Sequence, residues 1–357
     1  MGDLVIFRPP QALRSGDDVL GPRTILGLNK AGLSVRYYEL SSQWWARKLW
    51  FSRLPGRRTI FEYGPALAGL LSHRLKIGRA AAVWINGPAS PLNKNCWFER
   101  TAIRAGKPFI FHLQDDWFSM PYIKDVASAR VRIASLVVVP TEALKERIMG
   151  LFPDAKVVVL EEAIDVERLK PVPVERPSDL PFLVWTGHVT SMADLKESAE
   201  LLSRVYASHP FKLRIVSGEN KPVLDASFPW EWFPFNPTRE SELLSGATAG
   251  LAPLEDSSYA RCKGGYKVKT YLAAGIPVVA SPVGHHCNLI RSGENGILAG
   301  TPEEWEAALL KLLQDPSFAR RIGEAGRESA EKRFSHEVQM PVWAAALKSH
   351  LKIGIPE

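Results

Sequence analysis

Between Ile276 and Ala280 the chain reads Ile-Pro-Val-Val-Ala, a short apolar, β-branched run directly behind a helical pattern. Such a run has no polar face, so it suits a strand covered on both sides within a parallel sheet. The pattern before it, Tyr266 to Ala274, sets Val268, Tyr271 and Leu272 on one face of a helix. Gly275 follows at the position where helices turn left-handed, and Pro277 prevents continuation. Ahead of the helix, Gly264 and Gly265 allow close approach of backbone to a ligand. Lys263, Lys267 and Lys269 lie beside this glycine turn, a combination suited to holding phosphate at a helix N-terminus. The same lysines also fit a solvated helix face.

Strand-like runs and helical patterns alternate along much of the chain, which argues for parallel α/β domains. At 357 residues the length suggests two domains, each large enough to bury its own core. Hydrophobic residues at 46% and charged residues at 23% are globular values that exclude a disordered or fibrous chain. Cys96, Cys262 and Cys287 are widely spaced and lack metal-ligand spacing, which points to a reducing compartment. The first residues lack a signal-peptide pattern, and no run approaches the roughly 20 apolar residues of a bilayer span. The expected location is the cytoplasm, including the cytoplasmic face of a membrane.

Further motifs follow the opening segment. Gly284 leads to Asn288 to Ile290, then to Ser292-Gly-Glu-Asn-Gly-Ile-Leu298 and Thr301-Pro-Glu-Glu-Trp305. An amphipathic stretch from Leu309 to Leu313 stops at Asp315 and Pro316, and Arg320 to Arg327 begins another helical pattern. From Leu272 to Pro316 this order resembles the carboxyl-terminal domain of GT-B glycosyltransferases, in particular the large retaining group known as family 4. Pro181 to Gly187, Phe211 to Gly218, Trp232 to Pro237 and Ala249 to Asp256 extend the resemblance upstream. The amino-terminal half matches as a pattern: a strand Leu4 to Phe7, a loop at Ser15 and Gly16, and Gly32 to Tyr38.

The resemblance implies two Rossmann-like domains whose parallel sheets face across a cleft. Residues 1–170 would bind the acceptor and 171–335 the nucleotide-sugar donor, with the helix of 336–357 returning to the first domain. Leu169 to Pro181 holds four prolines, suiting an extended linker. The implied activity is transfer of a sugar from a nucleotide-sugar to a glycan or lipid-linked acceptor, with retention and without a metal or other cofactor. The donor nucleotide, UDP- or GDP-linked, stays open.

Cleavage of such a donor builds negative charge on a diphosphate, which lysines and a helix N-terminus stabilise. By position Lys267 takes the diphosphate first and Lys263 second, over Gly264 and Gly265. Gly187, His188 and Lys196 match the family's glycine turn and basic residues, and Phe235 lies where the donor is expected. Gly16 would face the diphosphate from the first domain. Two glutamates of the family pattern are replaced by Cys262 and Thr270; Thr270 offers a hydroxyl to a ribose, and Asp256 or Glu255 offers a carboxylate. On the segment Lys107 to Trp117, Gln114 stands where the family carries a histidine. Alternation turns His112 elsewhere. Asp115 and Asp116 are then candidates for acceptor or donor contact, against the plainer role of helix capping.

Charge is uneven. Between Glu39 and Lys107 twelve basic residues oppose three acidic ones, a balance of +9, whereas the whole chain is +7. Around residues 44–58 this charge is mixed with Trp44, Trp45, Trp50 and Phe51, suited to an anionic membrane surface. It suits a merely solubilising face as well. No nucleic-acid motif accompanies it, so nucleic acid is not an expected partner. Three other readings stay beside the transferase: a degenerate GT-B scaffold that binds without turnover, a sugar-nucleotide epimerase of the same fold, and a nucleic-acid binder using the basic first domain.

Overall fold

The protein is described as a computed structural model covering residues 3–8, 20–39, 75–86, 96, 99–172, 180–188, 191–218 and 220–351. It divides into two compact units, residues 1–161 with 339–357 and residues 162–338. The basic-aromatic segment 44–58 and Gly16 lie outside the described residues, as does most of the proline-rich stretch after Lys170. Among the described residues no helix is long and apolar enough to cross a membrane.

The first unit holds a parallel sheet of β1 (Leu4–Arg8), β2 (Val35–Glu39), β3 (Ala82–Asn86), β4 (Phe109–His112), β5 (Leu136–Val139) and β6 (Val157–Val159), in the order β2-β1-β3-β4-β5-β6. Its central strands read Val-Trp-Ile, Phe-Ile-Phe and Val-Val-Val and are buried on both faces, as their uninterrupted apolar character requires. Around it lie α1 (Pro22–Lys30), α2 (Glu99–Arg104), α3 (Lys124–Val131) and α4 (Glu142–Leu151).

The second unit repeats the plan with β7 (Phe182–Gly187), β8 (Lys212–Ser217), β9 (Trp230–Pro234), β10 (Ala249–Ala252), β11 (Val278–Ala280) and β12 (Ile297–Leu298). Its order is β12-β11-β10-β7-β8-β9. The chain lays β7, β8 and β9 in one direction and then returns to build β10, β11 and β12 on the other side of β7. Strand order therefore reverses between β7 and β10.

The helices of this unit are α5 (Met192–Glu197), α6 (Ala199–Ser208), α7 (Glu240–Leu244), α8 (Ser258–Arg261), α9 (Tyr266–Ala273), α10 (His286–Leu289), α11 (Pro302–Gln314) and α12 (Pro316–Arg333). Two apolar clusters form its core. One contains Trp185, Leu213, Ile215 and Leu251, with Leu309 and Leu312 of α11. The other contains Val184, Val216 and Val278, with Val268, Tyr271 and Leu272 of α9.

Local chemistry explains the element ends. Gly275, at φ +65°, closes α9: its N–H donates to Leu272 O while that of Ile276 donates to Tyr271 O, at 3.0 and 2.9 Å. These two bonds satisfy carbonyls that the helix end leaves free. Thr301 and Glu304 form a reciprocal capping box on α11, with Pro302 in the first turn. Asp315 ends α11 and caps α12 by accepting from Phe318 N at 3.0 Å.

The last helix, α13 (His336–Leu351), contributes Gln339 onward to the first unit. Met340 packs on Gly27 of α1, where a Cβ would come within 2.4 Å of the methionine chain. Trp343 stacks on Trp84 of β3, with ring centroids 5.9 Å apart, and donates its indole N–H to Glu161 O at 3.0 Å. His112, at the end of β4, meets both indoles edge-on at 5.6 and 6.1 Å. It is fully buried, and neither ring nitrogen has a hydrogen-bond partner.

Burial holds the His112 imidazole neutral, with its pKa pushed down to about 3. An unfolded chain protonates this group near its usual ~6.5, so stability is lost as pH falls from there toward the folded value. We predict that His112→Phe removes up to ~1.4 kcal/mol of pH dependence per unit below about pH 6.5. Urea unfolding of wild type and variant at about pH 7 and about pH 5 measures this; parallel losses in the two proteins would contradict it.

Candidate functional site

In open parallel sheets, a crevice forms outside the carboxyl ends of the strands where their order reverses. Here that place lies between β7 and β10, and the residues gathered there come from β7, α5, α9 and α10. Strand β7 ends in Trp185, Thr186 and Gly187. A Cβ on Gly187 would come within 2.8 Å of the Trp185 ring and 2.9 Å of Ser191 Oγ, so the turn requires glycine. His188 follows, exposed, and its carbonyl accepts from both Ser191 N and Ser191 Oγ.

Helix α9 begins at Gly265, at φ +67°. A Cβ there would lie 2.5 Å from Leu289 Cδ1 and 3.5 Å from His286 Cδ2, so α10 packs directly against the cradle. Gly264 beside it is half-buried. Gly284 turns the chain into α10 at φ +52°, where a Cβ would meet Arg261 O at 2.5 Å. Both positions combine a left-handed backbone with missing space, and glycine alone satisfies the two demands.

The three lysines of this segment separate. Lys267 is half-buried, with its ammonium 4.3 Å from the centroid of the Trp185 ring. Burial pushes its pKa down to about 7; Lys263 adds to the fall and Asp194 of α5 opposes it. Lys263 is half-buried, 5.0 Å above the ring of Tyr259. Lys269 takes no part: it is fully buried, and its ammonium donates to Glu162 O at 3.0 Å. The expectation that all three lysines lie at one phosphate site is corrected accordingly, because Lys269 projects from another side of the helix than Lys267.

His286 is also buried at this place, its Nδ1 3.0 Å from Ser281 O. Its pKa falls to about 4, chiefly through burial and further through Lys267, His285 and Lys263. The Trp185 indole N–H is buried without a partner. The pocket end of this sheet thus concentrates positive potential in a partly dry setting, with Asp194 as counter-charge.

Other expected residues fall at varied distances from this cluster. Lys196 is exposed on α5. It stands two residues beyond Asp194, about 200° around the helix. Asp256 is exposed and held by Arg261 in a two-point pair at 2.6 and 2.7 Å. Thr270 is buried on α9, and Cys262 is buried just before the glycine pair. Phe235 is half-buried after β9, its N–H donating to Ser217 O at 2.7 Å.

In the first unit, Asp115 is half-buried in the loop after β4, beside Gln114. Asp116 requires correction as a catalytic candidate. It is fully buried and accepts from Phe118 N at 3.1 Å and Ser119 Oγ at 2.5 Å, with Arg147 3.5 Å away. Its carboxylate caps the short turn Trp117–Ser119, which is the structural role its sequence position also allowed. Among the described residues no group of three or more His, Cys, Asp or Glu side chains is placed to hold a metal.

Sequence reasoning did not single out Asp194, Trp185 or His286 as site residues. Trp185 lies inside an apolar strand run. His285 and His286 directly follow a glycine turn between strand and helix, which was the available signal. Asp194 carried none, since only the packing of α5 lets its charge act on Lys267.

Residues 181–315 match the family model described as glycosyl transferases group 1. A trehalose synthase of Rubrobacter xylanophilus is 44% identical over 70 residues, which are 20% of this chain and 17% of that protein. The structure of HepE from Anabaena in complex with UDP and glucose is similar, with a TM-score of 0.64 at 15% identity over 97% of this chain and 100% of that one. Sucrose-phosphate synthase of Thermosynechococcus elongatus gives a TM-score of 0.67 at 15% identity, covering 99% of this chain and 100% of that one.

Two substitutions probe the cluster itself. Gly265→Ala is expected to lower stability by about 1–3 kcal/mol in urea unfolding, through its left-handed backbone and the Leu289 contact. Lys267→Met should raise the His286 pKa, followed by proton NMR, because it removes a neighbouring positive charge; an unmoved titration would show that the two groups do not share a field.

Proposed function

We propose that the protein transfers a sugar from a nucleotide-sugar: residues 181–315 match the family model described as glycosyl transferases group 1, and the chain has the GT-B fold. The donor diphosphate is assigned to Lys267 and Lys263, over the cradle of Gly264 and Gly265. One observation carries this reading: Lys267 and the start of α9 stand at the strand-order reversal, inside the residues that match the family model. A helix N-terminus and two cations there oppose the charge that develops on a departing diphosphate.

The proposed reaction is retaining and needs no metal. The bond from the anomeric carbon to phosphate oxygen breaks, and the acceptor oxygen bonds to that carbon on the same face. The acceptor proton passes to the departing phosphate oxygen. No strong protein base is then required, which accommodates Gln114 at the histidine position. Asp115 is the remaining candidate for contact with the acceptor hydroxyl. A glycan or lipid-linked acceptor suits the basic first-domain sequence, as does attachment of residues 44–58 to an anionic membrane surface at the cytoplasmic face.

Thermal shifts against UDP, GDP and their sugars, with and without magnesium, test the donor assignment. The expected result is stabilisation by one nucleotide class, weakened at least about tenfold in affinity by Lys267→Ala. Nucleotide binding without transfer to any acceptor would instead support the scaffold reading, and turnover of the sugar without acceptor the epimerase reading. The pH dependence follows from Lys267. A diphosphate favours its charged form, so binding takes up a proton where the free amine is neutral. Affinity is therefore expected to weaken as pH rises above about 7, by up to ~tenfold per unit, and Lys267→Arg should flatten this profile. Calorimetry in buffers of different ionisation enthalpy would detect the proton.

A further inference from the structure

Strands β7 and β10 pair over only a short length. Their register joins Ala249 with Leu183 and Gly250 with Val184, whereas β7 pairs with β8 along its whole run from Phe182 to Gly187. Beyond Val184, the link between β7 and β10 passes through a side chain. Tyr271 of α9 is fully buried, and its hydroxyl accepts from Thr186 N at 2.9 Å. The same hydroxyl lies 3.2 Å from Leu251 O and 3.3 Å from Val184 O, with one proton to share between them. It thus bridges an amide of β7 and a carbonyl of β10 that would otherwise be left unpaired in the core.

The ring reaches this position because Gly250 has no side chain. A Cβ on Gly250 would lie 2.5 Å from Tyr271 Cγ. The wedge stands at the strand-order reversal, where the crevice of the donor site opens. Lys267 and Tyr271 are four residues apart on α9 and so share a helix face. The hydroxyl bonded to both strands therefore lies on the same face of α9 as the lysine.

We infer that Tyr271 is a positioning residue of the donor site: its hydroxyl, seated between β7 and β10, holds the crevice open and sets Lys267 and the Gly265 cradle against the end of β7. The inference rests on the donor-site reading and adds to it a residue that never touches the ligand. Burial keeps the phenol protonated well above its usual range, so this bridge does not titrate in the working pH range. The contribution is geometric. Without the hydroxyl, Thr186 N must seek another partner, and direct pairing of the two strands is the one nearest to hand.

Tyr271→Phe removes the bridge and keeps the ring, while Gly250→Ala displaces the ring and keeps the hydroxyl. Val137→Ala serves as a control, since it excavates the buried core of the first unit. Two readouts are taken at a temperature where all variants are folded: the dissociation constants of UDP and GDP by calorimetry, and the titration of Lys267 by ¹³Cε NMR. A misplacement of about an ångström is enough to weaken binding by an order of magnitude or more. Tyr271→Phe and Gly250→Ala should each weaken nucleotide binding at least about tenfold and raise the Lys267 pKa toward its solvated value, with Val137→Ala leaving both unchanged. The inference is overturned if Tyr271→Phe binds as wild type does, or if Lys267 titrates alike in both. It is equally overturned if Val137→Ala produces the same changes. Failure of the wild type to bind either nucleotide would sink the donor reading instead, and the Lys267 titration would still decide whether Tyr271 positions the lysine.

Discussion

Helix α9 is held at both ends by glycines in the left-handed region, Gly265 before it and Gly275 after it, and the second unit is organised around that constraint. Eight residues leave little latitude. Fixing both ends fixes which side chains meet the sheet, which meet the outer helix, and which meet the crevice. Tyr271 enters the sheet, Lys269 reaches back to Glu162, and Lys267 is left at the crevice. On the outer side, α12 approaches through Gly323 and Gly326, where added Cβ atoms would lie 2.3 Å from Gly275 O and 3.0 Å from Leu272 Cδ2. Close helix packing of this kind holds α9 in place from behind, as dense protein interiors do.

Burial sorts ionisable groups by what surrounds them. Lys269 has a carbonyl and an aromatic ring for company. Lys267 has an aromatic ring and a second cation, Lys263, balanced in part by Asp194. The first arrangement satisfies an ammonium permanently. The second leaves it short of negative charge to offset burial, which is why its pKa falls. In the first unit, His112 shows a third case, an imidazole kept neutral among indoles with nothing to bind. Its surroundings speak for packing.

Much of the fold was legible in the residues. The final helix, expected within residues 336–357, spans His336–Leu351. The strand expected over Ile276 to Ala280 is narrower, Val278–Ala280, because Ile276 N is used in closing α9. The helix behind Asp315 starts at Pro316, ahead of the expected Arg320, since Asp315 caps the new helix as it ends the old one. The glycine pair and Lys267 stand at the strand-order reversal, whereas Lys269 turns inward, a separation that the run of lysines did not reveal. Asp116 showed the opposite limit: a carboxylate after a strand reads alike for catalysis and for capping, and only its burial and partners separate the two.

The sequence by itself determined the alternation of buried strands with helices, the glycines that must be left-handed, and the resemblance that names a fold. These are properties of neighbouring residues, set by local sterics and by the period of apolar positions. Only the tertiary structure decided that the charge of Asp194 acts on Lys267, that Lys269 turns inward, and that a tyrosine hydroxyl stands in for strand pairing beside β7. Each joins segments far apart in the chain, and the distances and dielectric surroundings that govern such contacts exist only once the chain is packed.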